Sequence, residues 1–253
     1  MGHPKVLFID IETRLMKVYS FGIWQQTIRP EQIIDDWNIL SFSVSWLGED
    51  KIHYFDLKNK DISKDKPLAK KIRDFMNEAD VIVAHNGDGF DIPKIMERIL
   101  CYKIRRPSAF KTIDTKKLLK KHFGFTSNSL AYACKRLGIA QKLKHKEFPG
   151  LELWFALEKG NKRAWKEMEA YNRQDVVCLK ELFLRIQAYC RIPALDVYDM
   201  KQCVCGSNSF RKNGKSASGS SIIQRYQCAK CHAPYQTSSV RPKEERSKIM
   251  RKM

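Results

Sequence analysis

Residues 5–12 read KVLFIDIE. Val6, Leu7, Phe8 and Ile9 form a short unbroken apolar run, which at this length reads as a buried strand. It ends on Asp10-Ile11-Glu12. Side chains two apart on a strand face the same side, roughly 7 Å from each other. Asp10 and Glu12 therefore share a face, and Ile11 turns away. Two carboxylates so placed can flank one divalent cation, although an Asp-x-Glu at a surface strand end is spelled the same way.

Beyond this strand, residues 39–47 (ILSFSVSWL) alternate imperfectly and pass through Gly48-Glu49-Asp50-Lys51 into IHYF, a hairpin signal. Pro67 opens an amphipathic helix over 67–78. Residues 80–84 (DVIVA) form another short buried strand, stopped by the turn pair Asn86-Gly87. A helix is expected over 92–102, a short strand over 111–113, and helices over 115–122, 128–137 and 162–189. Pro193 closes the domain. Strands come first, then strand and helix alternate, which gives an α/β domain with a mixed sheet.

The chain has 253 residues, enough for one such domain and a small appendage. No apolar run approaches about 18 residues, so no membrane span is expected. The N-terminus lacks a signal-peptide layout, and a cytoplasmic location is expected. The net charge is +19. Up to residue 200, 35 basic and 26 acidic residues leave +9; in the last 53 residues, 12 basic and 2 acidic residues leave +10. Such a field favours a polyanion, most simply nucleic acid.

Two further acidic positions stand out. Asp91, in HNGDGFDIP (85–93), follows a strand and turn and enters a helix; it reads equally as a helix cap. Asp175 falls on a helix whose apolar stripe is Trp165, Met168, Val176, Leu179, Leu182, Phe183 and Ile186. At 100° per residue it lies near the middle of that stripe, with Tyr171 one turn earlier at its edge. A carboxylate facing a core is costly unless it is paired or metal-bound. Asp114 reads as a helix cap or a supporting group, and His85 as a packed histidine. Four carboxylates gathered together repel one another, and two divalent ions resolve the conflict.

Asp10-x-Glu12, AsnGly-x-x-PheAsp at 86–91 and Tyr171-x-x-x-Asp175 resemble, in order, the three motifs of DnaQ-like 3′–5′ exonucleases of the DEDDy branch. The stretches at 36–42 and 123–130, and the linker before Trp154, are similar to a phage-associated group with an RNase H-like fold. The likeness covers roughly residues 4–190. It implies an RNase H-like mixed sheet flanked by helices, and host cytoplasm if the chain is phage-encoded. It also implies hydrolysis of DNA, from single-stranded 3′ ends, with two Mg²⁺ or Mn²⁺ ions. By motif, Asp10, Glu12 and Asp175 would hold the metal that binds the attacking water. Asp10 would also touch the second metal, Asp91 would hold it, and Tyr171 would orient the water. An exoribonuclease of the same fold, or a non-catalytic nucleic-acid-binding protein, are the alternatives. Lys116, Lys117 and Lys120 on one helix, Lys142 and Lys144 in a loop, and Arg225 are candidate phosphate contacts.

Of eight cysteines, Cys101, Cys134, Cys178 and Cys190 sit in apolar helical text as small core residues. Cys203-x-Cys205 and Cys228-x-x-Cys231 cluster, and four such thiolates suit one tetrahedral Zn²⁺. The text resembles zinc ribbons of DNA-binding proteins, though its first pair is one residue shorter than the usual Cys-x-x-Cys, and His232 is an alternative ligand. The expected division is 1–195 for the exonuclease domain, 196–240 for the ribbon and 241–253 for a basic, disordered tail.

Overall fold

The computed structural model describes residues 4–58, 60–140, 147–189, 203, 205–218 and 221–236. Lys142, Lys144 and the 241–253 tail lie outside them. The chain divides into two compact units, one running Lys5–Leu182 and the other holding the C-terminal strands.

The first unit is built on a five-stranded sheet with the order β5-β4-β1-β6-β7. Its strands are β1 (Val6–Thr13), β4 (Ile39–Trp46), β5 (His53–Asp56), β6 (Val81–Ala84) and β7 (Lys111–Asp114). β1 runs antiparallel to β4 and parallel to β6, and β6 runs parallel to β7. The sheet is thus mixed, as the order of elements requires. The apolar run of residues 6–9 becomes the central strand because it has neighbours on both edges, and Val6 to Ile9 are buried. Leu7, Ile9 and Ile11 enter a core shared with Ile72 and Met76 of α1 (Lys66–Glu78), Ile95 and Ile99 of α2 (Asp91–Cys101), and Trp165 and Met168 of α6 (Lys162–Ile186).

Three parallel strands point the same way, so the carboxyl ends of β1, β6 and β7 share one edge of the sheet. Ligands of open α/β sheets bind at such an edge. Asp10 and Glu12, the 85–91 turn, and Asp114 all fall there. From it lead α2 and α3 (Thr115–His122), followed by α4 (Leu130–Leu137).

Two elements were not expected from the sequence. A two-stranded ladder pairs β2 (Lys17–Val18) with β3 (Ile33–Asp35) between β1 and β4. A seven-residue helix, α5 (Glu152–Glu158), occupies the linker around Trp154. It is too short to show a period, and its N-cap residue Leu151 offers no side-chain cap.

A buried ion pair fixes α1 to α2. Asp65 is fully buried, accepts three bonds from Arg98 and one from Tyr102, and takes the backbone N–H of Ile39 at 2.8 Å. The second unit is the meander β8 (Phe210–Ser218), β9 (Ser221–Cys228) and β10 (Pro234–Gln236), in the order β10-β9-β8.

Candidate active site

Asp10, Glu12 and Asp175 converge. Each offers a carboxylate oxygen, and these lie within 4.8 Å of one another. Asp10 and Glu12 are half-buried on β1, and Asp175 is 2% exposed on α6. The helical stripe that placed Asp175 toward the interior is realised: Val176 and Leu179 beside it are buried.

Asn172, one turn before Asp175, was not singled out in the sequence. It is fully buried, and its Nδ2 donates to Asp10 Oδ2 at 2.6 Å and to the Asp10 carbonyl at 3.3 Å. The signal was available, since residues three apart on a helix share a face. Tyr171 is half-buried and packs against the core.

Asp91 stands outside the triplet but is tied to it. It is the first residue of α2, not its cap; the cap position is Phe90. Pairing between β1 and β6 ends at Phe8↔Val83, so Ile11 lies beyond the ladder. Its backbone N–H is taken by Asp91 Oδ1 at 3.1 Å. Burial pushes the Asp91 carboxyl up to about 7, against the lowering effect of the N–H groups of Ile11 and of Asp91 itself, with the charge of Asp114 adding to the rise.

Asp114 caps α3 and organises the turn before Asp91. Its Oδ1 accepts N–H bonds from Asn86, Lys116 and Lys117, and its Oδ2 accepts that of Asp88. Asn86 takes φ +70°, a left-handed conformation Asn tolerates. A Cβ on Gly87 would meet Ala84 Cβ at 2.4 Å, so only glycine fits. His85 is a packed histidine. Its Nδ1 faces Thr115 Oγ1 at 2.9 Å, and its Nε2 faces the Asn128 carbonyl at 3.0 Å.

The lysines of α3 flank this turn. Lys116 Nζ reaches Asn86 Oδ1 at 3.3 Å, and Lys117 pairs with Asp88 at 2.7 Å, which partly neutralises it. Lys120 is exposed on the same helix, and Arg225 is exposed on β9.

The acidic set fits a divalent cation. Three carboxylates are drawn together on a rigid strand and helix, one of them almost wholly buried. Mutual repulsion opposes that arrangement unless positive charge enters.

The four C-terminal thiols converge likewise, within 4.8 Å of one another, and His232 is outside the group. Cys203 and Cys231 sulfurs are 3.4 Å apart, and those of Cys205 and Cys228 are 3.7 Å apart. Tetrahedral zinc with 2.3 Å bonds sets sulfurs about 3.8 Å apart. The shorter first pair closes through Gly206 N–H to the Cys203 carbonyl, with Gly206 at φ +84°. Burial raises the Cys228 thiol, but N–H bonds from Cys231 and Lys230, together with hydrogen bonds from the Cys203 and Cys205 thiols, bring it down to about 6.

Residues 31–187 match the family model RNase_H_2, described as the RNase H superfamily. Asp91, Tyr171 and Asp175 fall inside that span; Asp10 and Glu12 precede it. No curated protein matches the sequence. Among solved structures, the family B DNA polymerase from the hyperthermophilic archaeon Pyrobaculum calidifontis is similar over 74% of this chain and 26% of that one, at 17% identity and a TM-score of 0.50. The chain spans about a quarter of that polymerase, and the likeness is one of fold. Among the described residues, no helix is long and apolar enough to cross a membrane.

Proposed function

The chain belongs to the RNase H superfamily, and from that premise we propose that it is a metal-dependent 3′–5′ exonuclease acting on single-stranded DNA ends. The observation that carries this reading is the convergence of Asp10, Glu12 and Asp175, from a strand and a helix far apart in sequence. In this reading Asp10, Glu12 and Asp175 hold one divalent cation and Asp91 helps to hold a second. Bound there, Mg²⁺ or Mn²⁺ supplies a nucleophile from water at neutral pH and stabilises charge on the scissile phosphate.

The chain's own groups do the rest. Asn172 donates to Asp10 Oδ2 and so helps to fix the orientation of that carboxylate. Tyr171, one turn from Asp175, presents a phenolic O–H to orient the attacking water. Asp114 holds the 86–88 turn, and with it the entry of Asp91 into α2. Lys116 and Lys120 supply charge for phosphates without reading bases. The C-terminal thiols hold one zinc ion, which stabilises the small meander and presents Arg225 to nucleic acid.

The test uses DNA and RNA strands of matched sequence, labelled at either end, with Mg²⁺ or Mn²⁺. Stepwise loss from the 3′ end, faster on DNA, is expected. Faster loss on RNA replaces the substrate assignment with an exoribonuclease. Tight binding of both strands without cutting replaces catalysis with a binding role.

A further inference from the structure

Between β1 and β4 the chain makes an excursion, residues 14–35, that exposes several large apolar side chains. Tyr19 is 70% exposed, Trp24 80%, Ile23 87% and Phe21 fully exposed. Large apolar groups gathered in one exposed segment mark a binding surface more often than chance. From Thr13 to Pro30 there is no Asp or Glu, and the charged residues are Arg14, Lys17 and Arg29.

The excursion is fixed at its base. Arg14, buried, forms ion pairs with Asp35 and Glu158, and its N–H reaches the Asn38 carbonyl at 2.8 Å. Trp154 Nε1 holds the Thr13 carbonyl at 3.0 Å. Above the β2–β3 ladder, Tyr19 and Gln32 exchange two bonds, N–H to carbonyl at 2.8 Å and Nε2 to carbonyl at 2.7 Å. The tip is shaped by its own polar groups, with Gln26 Nε2 on the Trp24 carbonyl at 2.7 Å. Rings held on a supported backbone lose little entropy when they stack on a planar partner.

The excursion begins just after the strand residues Asp10 and Glu12. Glu12 is two residues before Arg14, and Tyr19 is seven after Glu12, so its Cα lies no more than about 25 Å from it.

We propose that Tyr19, Phe21 and Trp24 form a stacking platform for the unpaired bases of a single nucleic-acid strand whose 3′ end enters the site at Asp10, Glu12 and Asp175. This deepens the nuclease reading and rests on it for the position of the 3′ end. The chemistry favours a strand over other occupants. Every base has a face that stacks on an aromatic ring, which tolerates any sequence. The stretch 13–30, free of acidic residues and carrying Arg29, does not repel phosphates. The segment also follows directly in sequence from the strand that carries Asp10 and Glu12. Duplex bases are already stacked on each other and gain nothing from these rings.

The experiment uses the full chain with Asp10→Ala, so that bound strands stay intact. Anisotropy of a labelled oligothymidylate and of a labelled duplex is measured for this parent, for Trp24→Ala, for Trp24→Phe, and for the combined Tyr19→Ala, Phe21→Ala and Trp24→Ala change. Because the rings are exposed, all variants should melt at the parent's temperature. Trp24→Ala is expected to weaken single-strand binding about fivefold or more, and the combined change further still. Trp24→Phe should keep most of the affinity, and duplex binding should not move. Unchanged single-strand affinity in the combined variant overturns the platform. So does a parent that sediments as a dimer and becomes a monomer in that variant with strand affinity unchanged, since the rings then join two copies of the chain. The two readings fail separately: if the unmutated chain cuts no strand but the ring variants still lose affinity, the exonuclease assignment falls and the platform stands.

Discussion

The Oδ1 atom of Asp91 accepts the backbone N–H of Ile11 at 3.1 Å, across 80 positions of sequence. A carboxylate at the start of α2 thereby finishes the hydrogen bonding of the strand that carries Asp10 and Glu12. It is also 4% exposed, and its carboxyl titrates near 7.

The pH dependence follows. The unfolded carboxyl titrates near 3.9 and the folded one at about 7. Below about pH 4 both states are protonated and Asp91 costs nothing. From there to about pH 7 the unfolded chain ionises first, so metal-free stability falls as pH rises. Asp91→Asn should flatten that fall in metal-free thermal melts run across the window. Excess Mg²⁺ should offset it in the unmutated protein by stabilising the charged form. An identical slope in the variant contradicts the assignment.

Asn172 holds Asp10 through a 2.6 Å bond. Asn172→Ala should lower turnover by about 10–100-fold, with a much smaller effect on strand affinity in the absence of cutting. Asn172→Asp should be worse, because it adds a fifth negative charge beside the site. Steady-state kinetics on a single-stranded oligonucleotide, with binding measured separately, would decide it.

Gly87 has no room for a side chain. Gly87→Ala should cost roughly 1–3 kcal/mol, read from denaturant melts, because its Cβ would meet Ala84 Cβ at 2.4 Å. Adding Ala84→Gly should recover much of that loss. No recovery would mean that the turn itself, and not the contact, is at fault.

The C-terminal thiols should hold one zinc per chain, counted by atomic absorption. Cys228→Ser should lose it and melt the meander, because so small a core depends on its metal. A metal-free protein whose meander keeps its amide-exchange protection would refute a structural zinc.

The centre of the sheet was legible because β1 and β6 are buried on both faces and so read as continuous apolar runs: Val6 to Ile9 and Val81 to Ala84 need no knowledge of their neighbours. Asp175 was legible for the opposite reason, as a charge in an apolar stripe. The excursion at 14–35 has neither period nor stripe, and only its long-range ladder makes it an element. Asn172 was hidden between the two residues that did carry a motif. The pairing of Lys117 with Asp88 depends on the turn that brings residues 29 apart together, which no local pattern encodes. Lys142 and Lys144 fall outside the described residues.

The most direct test of the catalytic claim is a time course on 5′-labelled single-stranded DNA with Mg²⁺, run beside Asp175→Asn and beside a sample with EDTA. A ladder that shortens one nucleotide at a time from the 3′ end, absent in both controls, is the expected result. Cutting that persists undiminished in Asp175→Asn, or an intact strand under every metal condition, would contradict it.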